Sequence, residues 1–136
     1  MTMIAGDGAP NAGRVTVRAS QSGLRAARRH IRALAGELNF NATQSLDLQV
    51  AAGEALSNAF RHGSPDSRNG RILISWQYAD NVLTIAVTDQ GAGIAPRKVT
   101  LYGEAGGHGI RIMNACADEV SFHFGLGSTV VLRKRA

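Results

Sequence analysis

At 136 residues the chain is long enough for one domain with a real hydrophobic core and too short for two. Its net charge of +5 invites a nucleic-acid reading, but no aromatic interleaving or recognised nucleic-acid motif accompanies the basic residues. No apolar run approaches the ~20 residues that span a bilayer, and the single Cys116 excludes an internal disulfide and suits a reducing cytosol.

The opening stretch, residues 1–13, lacks the charged and apolar regions of a signal peptide and reads as a flexible arm before a domain over 14–136. A cytoplasmic protein without membrane contact is expected. Arg14 to Ala19 alternates, with Val15 and Val17 on one side, and predicts a half-buried edge strand. Ser20 and Ser22 offer N-caps for a helix whose Leu24, Ala27, Ile31, Leu34, Ala35 and Leu38 fall at helical spacing. Arg25, Arg28, Arg29 and Arg32 occupy its other face, a solvated or protein-docking surface.

Asn41-Ala-Thr-Gln44 resembles a capping box and starts a second helix running through Leu46, Val50 and Leu56 to Arg61. Residues 63–70 are dense in turn formers and predict a loop. Arg71–Tyr78 and Val82–Thr88 both alternate around Asp80-Asn81, which predicts a hairpin. A further helix is expected over Ile110–Ala117, then strands over Val120–Phe124 and Thr129–Arg133, with Arg133, Lys134 and Arg135 as a basic tail. The order β-α-α-β-β-α-β-β predicts an α/β (α+β) two-layer sandwich, its sheet mixed but mostly antiparallel, its helices on one face.

Three polar signals stand out from this frame. Glu54 and Asn58 are four residues apart, one turn above the other on a single helix face. A carboxylate and a carboxamide pointing together into a cleft can orient a hydroxyl and hold a hard cation such as Mg²⁺. Asp89-Gln-Gly91-Ala-Gly93 follows an apolar strand, where an acid can accept a hydrogen bond from an exocyclic amine such as that of adenine. Gly106-Gly107-His108-Gly109 precedes a helix, so converging backbone N–H groups and the helix N-terminus make a phosphate cradle. Each alone also fits a bland role: solvent-facing helix residues, an Asp-Gly turn, a flexible loop. Walker-type and dinucleotide fingerprints are absent.

In their order and spacing the three signals resemble the GHKL (Bergerat-fold) ATPase superfamily. Glu54-Ala-Leu-Ser-Asn58 is similar to its N box, Asp89 to Gly93 to its first glycine box, Gly107-His-Gly109 to its second, and Gly127-Ser-Thr-Val-Val-Leu132 to its closing strand, with Ser128 where Thr is usual. Size and layout resemble the stand-alone anti-sigma factor serine kinases, the RsbW-like group. By that likeness Asn58 would coordinate the Mg²⁺ that bridges the ATP phosphates, and Asp89 would read adenine, helped by Ser128. Gly91, Gly93 and Ile94 would shape the adenine pocket. Gly107, His108, Gly109 and Ile110 would wrap the phosphates, within reach of His62, and Glu54 would be the general base. The resemblance implies phosphorylation of a serine on a STAS-domain anti-anti-sigma partner, which competes with a sigma factor for a homodimeric kinase. An RsbT-like switch kinase, or a nucleotide-binding module without phosphotransfer, are the rival readings. Two departures are visible: Ala95 to Ala105 is short for an ATP lid, and Ala105 and Gly106 stand where many relatives carry Arg. His30 and His123 have no metal-like companions, and Trp76 reads as sheet packing.

Overall fold

The computed structural model describes residues 11–62, 70–89, 107–124 and 127–136. Their elements run β1 (Ala12–Arg18), α1 (Gln21–Glu37), α2 (Ala42–His62), β2 (Arg71–Ala79), β3 (Val82–Asp89), α3 (Gly107–Cys116), β4 (Glu119–Phe124) and β5 (Ser128–Arg135). The predicted order is borne out element for element. β1 starts two residues before the expected Arg14, and α3 starts three residues before the expected Ile110.

Both long helices begin on side-chain caps. Ser20 Oγ accepts from the Gly23 backbone N–H at 3.1 Å. Asn41 and Gln44 form a reciprocal capping box: Gln44 N–H donates to Asn41 Oδ1 at 2.8 Å, and Asn41 N–H donates to Gln44 Oε1 at 2.9 Å. Asp80 and Asn81 both take positive φ, 54° and 65°, the two left-handed residues that a tight hairpin turn requires.

The five strands form one sheet in the order β1-β2-β3-β5-β4. Its four pairings are all antiparallel, so the expected parallel component is absent among the described residues. β4 and β5 are consecutive and pair with each other, and it is β5 that lies beside β3, leaving β4 at the edge. Val15, Val17, Ile72, Ile74, Leu83, Ile85, Val87, Val130 and Leu132 point to one face, where they meet the buried stripes of the helices. α2 lies centrally, against α1 on one side and α3 on the other, and packs on β3 and β5. The helices thus share one face of the sheet, as predicted.

Lys134 does not belong to a solvated tail. The alternation of β5 turns it inward, where it is only 9% exposed. Its Nζ donates to the Cys116 carbonyl at the end of α3 (2.9 Å) and stands 3.7 Å from Asp47 Oδ2 on α2. One cation therefore ties three elements together. Trp76 packs as expected, its ring 4.7 Å from that of His30 on α1.

Candidate functional site

The second half of α2 is built to lie close to its neighbours. Ala51, Ala52, Ala55 and Leu56 are fully buried, and three alanines in that set let the backbone approach the sheet closely. Glu54 and Asn58 fall on the flank of that face and are half-buried. Next to them is the first turn of α3, where Gly109 is buried. A Cβ on Gly109 would come 3.0 Å from Glu54 Oε1 and 3.7 Å from each polar atom of the Asn58 carboxamide. A side chain there would press on the Glu54 carboxylate and take up the space between that helix N-terminus and the two polar groups. Arg61, one turn beyond Asn58, donates from Nη2 to Asn58 Oδ1 at 2.8 Å and fixes which way the carboxamide faces.

A second group gathers at the end of β3. Asp89 is 4% exposed and stands on the helix-covered face, in line with Val87 and Ile85. The register pairs it directly with Ser128, so their side chains share that face. Gly127 lies against it: a Cβ there would collide with the Asp89 carbonyl oxygen and sit 3.6 Å from Asp89 Oδ1. Next along the ladder, on the open face, the Thr88 and Thr129 hydroxyls share a hydrogen bond of 2.9 Å that pins β3 to β5.

The structure therefore brings Glu54, Asn58 and Gly109 together, and Asp89, Ser128 and Gly127 together, both on the helix-covered side of the sheet. Ile110, expected among the phosphate-wrapping residues, is 7% exposed and has its side chain in the core. Gly91, Gly93 and Ile94, and the segment carrying Arg97 and Lys98, lie outside the described residues. So do the side chains of His62 and His108, whose backbones end α2 and begin α3. Among the described residues no group of three or more His, Cys, Asp and Glu could hold a metal, and no helix is long and apolar enough to cross a membrane.

Chemically, this arrangement offers oxygen donors beside a helix N-terminus, the place where an anion and a hard cation can be held together. A buried carboxylate at a strand end offers an acceptor for an amine on a flat ligand. One contributor was not singled out from the sequence: Arg61, which its i+3 spacing to Asn58 could have shown. Gly127 opens the Gly127–Leu132 motif, but the reason a glycine is needed there, a neighbour 38 positions away in the chain, is reached only through strand pairing.

Comparison with known proteins bears on this geometry. The sequence profile of a histidine kinase-like ATPase domain matches residues 17–134. The chain is 30% identical over 118 residues to an anti-sigma F factor of Geobacillus thermodenitrificans, covering 79% of this chain and 81% of that one. It is 25% identical over 113 residues to the serine-protein kinase RsbW of Bacillus subtilis, covering 74% and 71%. Among solved structures it is similar to the RsbU and RsbW domains of a Mycobacterium tuberculosis protein, with TM-score 0.70 and 23% identity. That match covers 91% of this chain and 32% of the other, so this chain spans about a third of that protein's length. A histidine kinase domain from Erythrobacter litoralis superposes with TM-score 0.63 at 18% identity over 84% of this chain and 59% of that one, a likeness of fold alone.

Proposed function

The chain belongs to the histidine kinase-like ATPase family, whose profile covers most of its length, and from that premise we propose that it is an anti-sigma factor with ATP-dependent serine kinase activity. Its acceptor is a serine on a STAS-domain anti-anti-sigma protein, and its regulatory target is a sigma factor that competes with that acceptor. It acts as a homodimer. The names of the relatives, an anti-sigma F factor and a serine-protein kinase, support this reading. The observation that carries it is the closure of Gly109 onto Glu54 and Asn58, a base and a carboxamide at a helix N-terminus.

The residues fit Mg·ATP. A Cβ at Gly109 would fill the space beside Glu54 and Asn58, and one carboxamide oxygen is the kind of hard donor that magnesium takes alongside phosphate oxygens. Asn58 would hold the metal through Oδ1, the atom to which Arg61 now donates. Asp89, with Ser128 beside it, would accept a hydrogen bond from the adenine amine. The backbone N–H groups that open α3 would face the phosphates. When bound, the nucleotide supplies the γ-phosphoryl group to the serine oxygen and leaves as ADP, the metal neutralising charge on the phosphate oxygens. Glu54 takes the proton of the serine hydroxyl. Phosphoryl transfer needs mainly positioning and charge neutralisation, so one base on a rigid helix completes the set.

The test is incubation of the protein with γ-labelled ATP, Mg²⁺ and each STAS-domain protein encoded in the same genome. Label on a serine of one of them is expected. Recovery of a phosphatase rather than a sigma factor in pull-downs favours the switch-kinase alternative. Nucleotide binding without label on any STAS protein identifies a regulatory binding module instead.

A further inference from the structure

Two large hydrophobic side chains are exposed among the described residues, Leu46 at 60% and Val50 at 38%. Both stand on α2, one turn apart, and neither contributes to the core. Continuing along that stripe by helical steps gives Gly53 and Glu54, so one helix face runs from Leu46 to the proposed base over about 12 Å. Across from it α1 presents Arg28 and Arg32, both exposed. Together these residues line a groove of about 340 Å³ between the two helices. Arg28 also donates to Ser57 Oγ at 3.0 Å, which bridges the groove near the Glu54 end.

Building on the kinase reading above, we propose that this groove docks the acceptor protein, through an acidic amphipathic segment whose apolar side chains cover Leu46 and Val50 and whose carboxylates meet Arg28 and Arg32. Three features select that occupant. The floor is apolar and its α1 wall cationic, the complement of an amphipathic segment rich in Asp and Glu. Glu54 is among the residues that line the groove, so a chain lying in it passes beside the proposed base. A second copy of this protein, itself at +5, meets the arginine wall with like charge. Gly53 has nothing within 4 Å of where its Cβ would be, which keeps the approach to Glu54 open.

The experiment measures steady-state phosphorylation of the STAS-domain protein that the wild type labels, alongside calorimetry with Mg·ATP. Leu46→Asp, and separately Arg28→Glu with Arg32→Glu, should each raise the KM for the acceptor about tenfold or more, the effect of losing an interface hot spot. Nucleotide affinity and melting temperature should stay as in the wild type, since these side chains are exposed. Arg28→Lys with Arg32→Lys should restore most of the acceptor affinity. A photo-cross-linker at position 46 should capture the acceptor, and one at Ser75, on the open face of the sheet, should not. An unchanged KM in both variants, or capture from Ser75 alone, overturns the groove and leaves the kinase standing. Absence of label with the wild type overturns the kinase reading and the groove with it. Binding of an RNA or DNA duplex lost on arginine reversal but kept in Leu46→Asp shows a nucleic-acid surface and overturns the proposal.

Discussion

Gly127 has no room for a side chain, because even a methyl group would strike the Asp89 carbonyl. Gly127→Ala should therefore cost about 1–3 kcal/mol in urea unfolding, the range for forced overpacking, and should weaken Mg·ATP binding by displacing Asp89. Gly36 near the end of α1 faces open space, so Gly36→Ala should stabilise by about 0.5–1 kcal/mol. Glu54→Gln keeps the shape of the side chain and removes its basicity. It should lower kcat for phosphotransfer by about 10²–10⁴ while nucleotide still binds. His30 belongs to the fold, not the site. Burial lowers its pKa from the usual value, outweighing the opposing charge of Glu37. Among the described residues neither His30 Nε2 nor Trp76 Nε1 has a hydrogen-bond partner. The unfolded chain then binds the proton more readily than the folded one. Stability from neutral His30 is complete above about pH 6.5 and is lost as pH falls below it. His30→Phe should flatten that acid-side loss in denaturation curves between about pH 7 and 5, whereas equal slopes would rule the coupling out.

At the scale of elements, what was legible in the sequence was what local chemistry decides. The capping box at Asn41 and Gln44 could be read because both hydrogen bonds close within three residues. Asn41→Ala should cost about 1 kcal/mol, read as a melting temperature lower by about 2–6 °C. The arginines of α1 could be read as exposed from their spacing alone, and they are. Arg133-Lys134-Arg135 was misleading for the opposite reason: three cations in a row look solvated, yet strand alternation turns the middle one inward to the end of α3. Lys134→Ala should cost about 1–3 kcal/mol by leaving the Cys116 carbonyl without its donor and removing the packing of the stem, and Lys134→Met, which keeps that packing but not the donor, should cost less. Leu46 and Val50 belong to the same apolar run as Leu56, yet Leu56 lies about 120° around α2 from Val50, so Leu56 is buried while Leu46 and Val50 are exposed. An apolar residue on a helix enters the core only when its angular position faces the neighbouring elements.

For the whole molecule, the element order could be derived but the strand order could not. Nothing within Val82–Asp89 or Ser128–Arg135 says that they pair, yet that pairing sets Asp89 opposite Ser128 and Gly127. The N box was legible because its two groups share a helix. Its meeting with Gly109 required α2 and α3 to pack, 51 positions apart from Asn58 to Gly109. The account's central claim is that the Glu54–Asn58–Gly109 group and the Asp89–Ser128 group serve one nucleotide. Titration of the ¹⁵N-labelled protein with Mg·ADP tests it most directly. The predicted result is saturable amide shifts at Asn58, Asp89, Gly109, Ile110 and Ser128 sharing one dissociation constant; shifts at only one group, or two different constants, would contradict it.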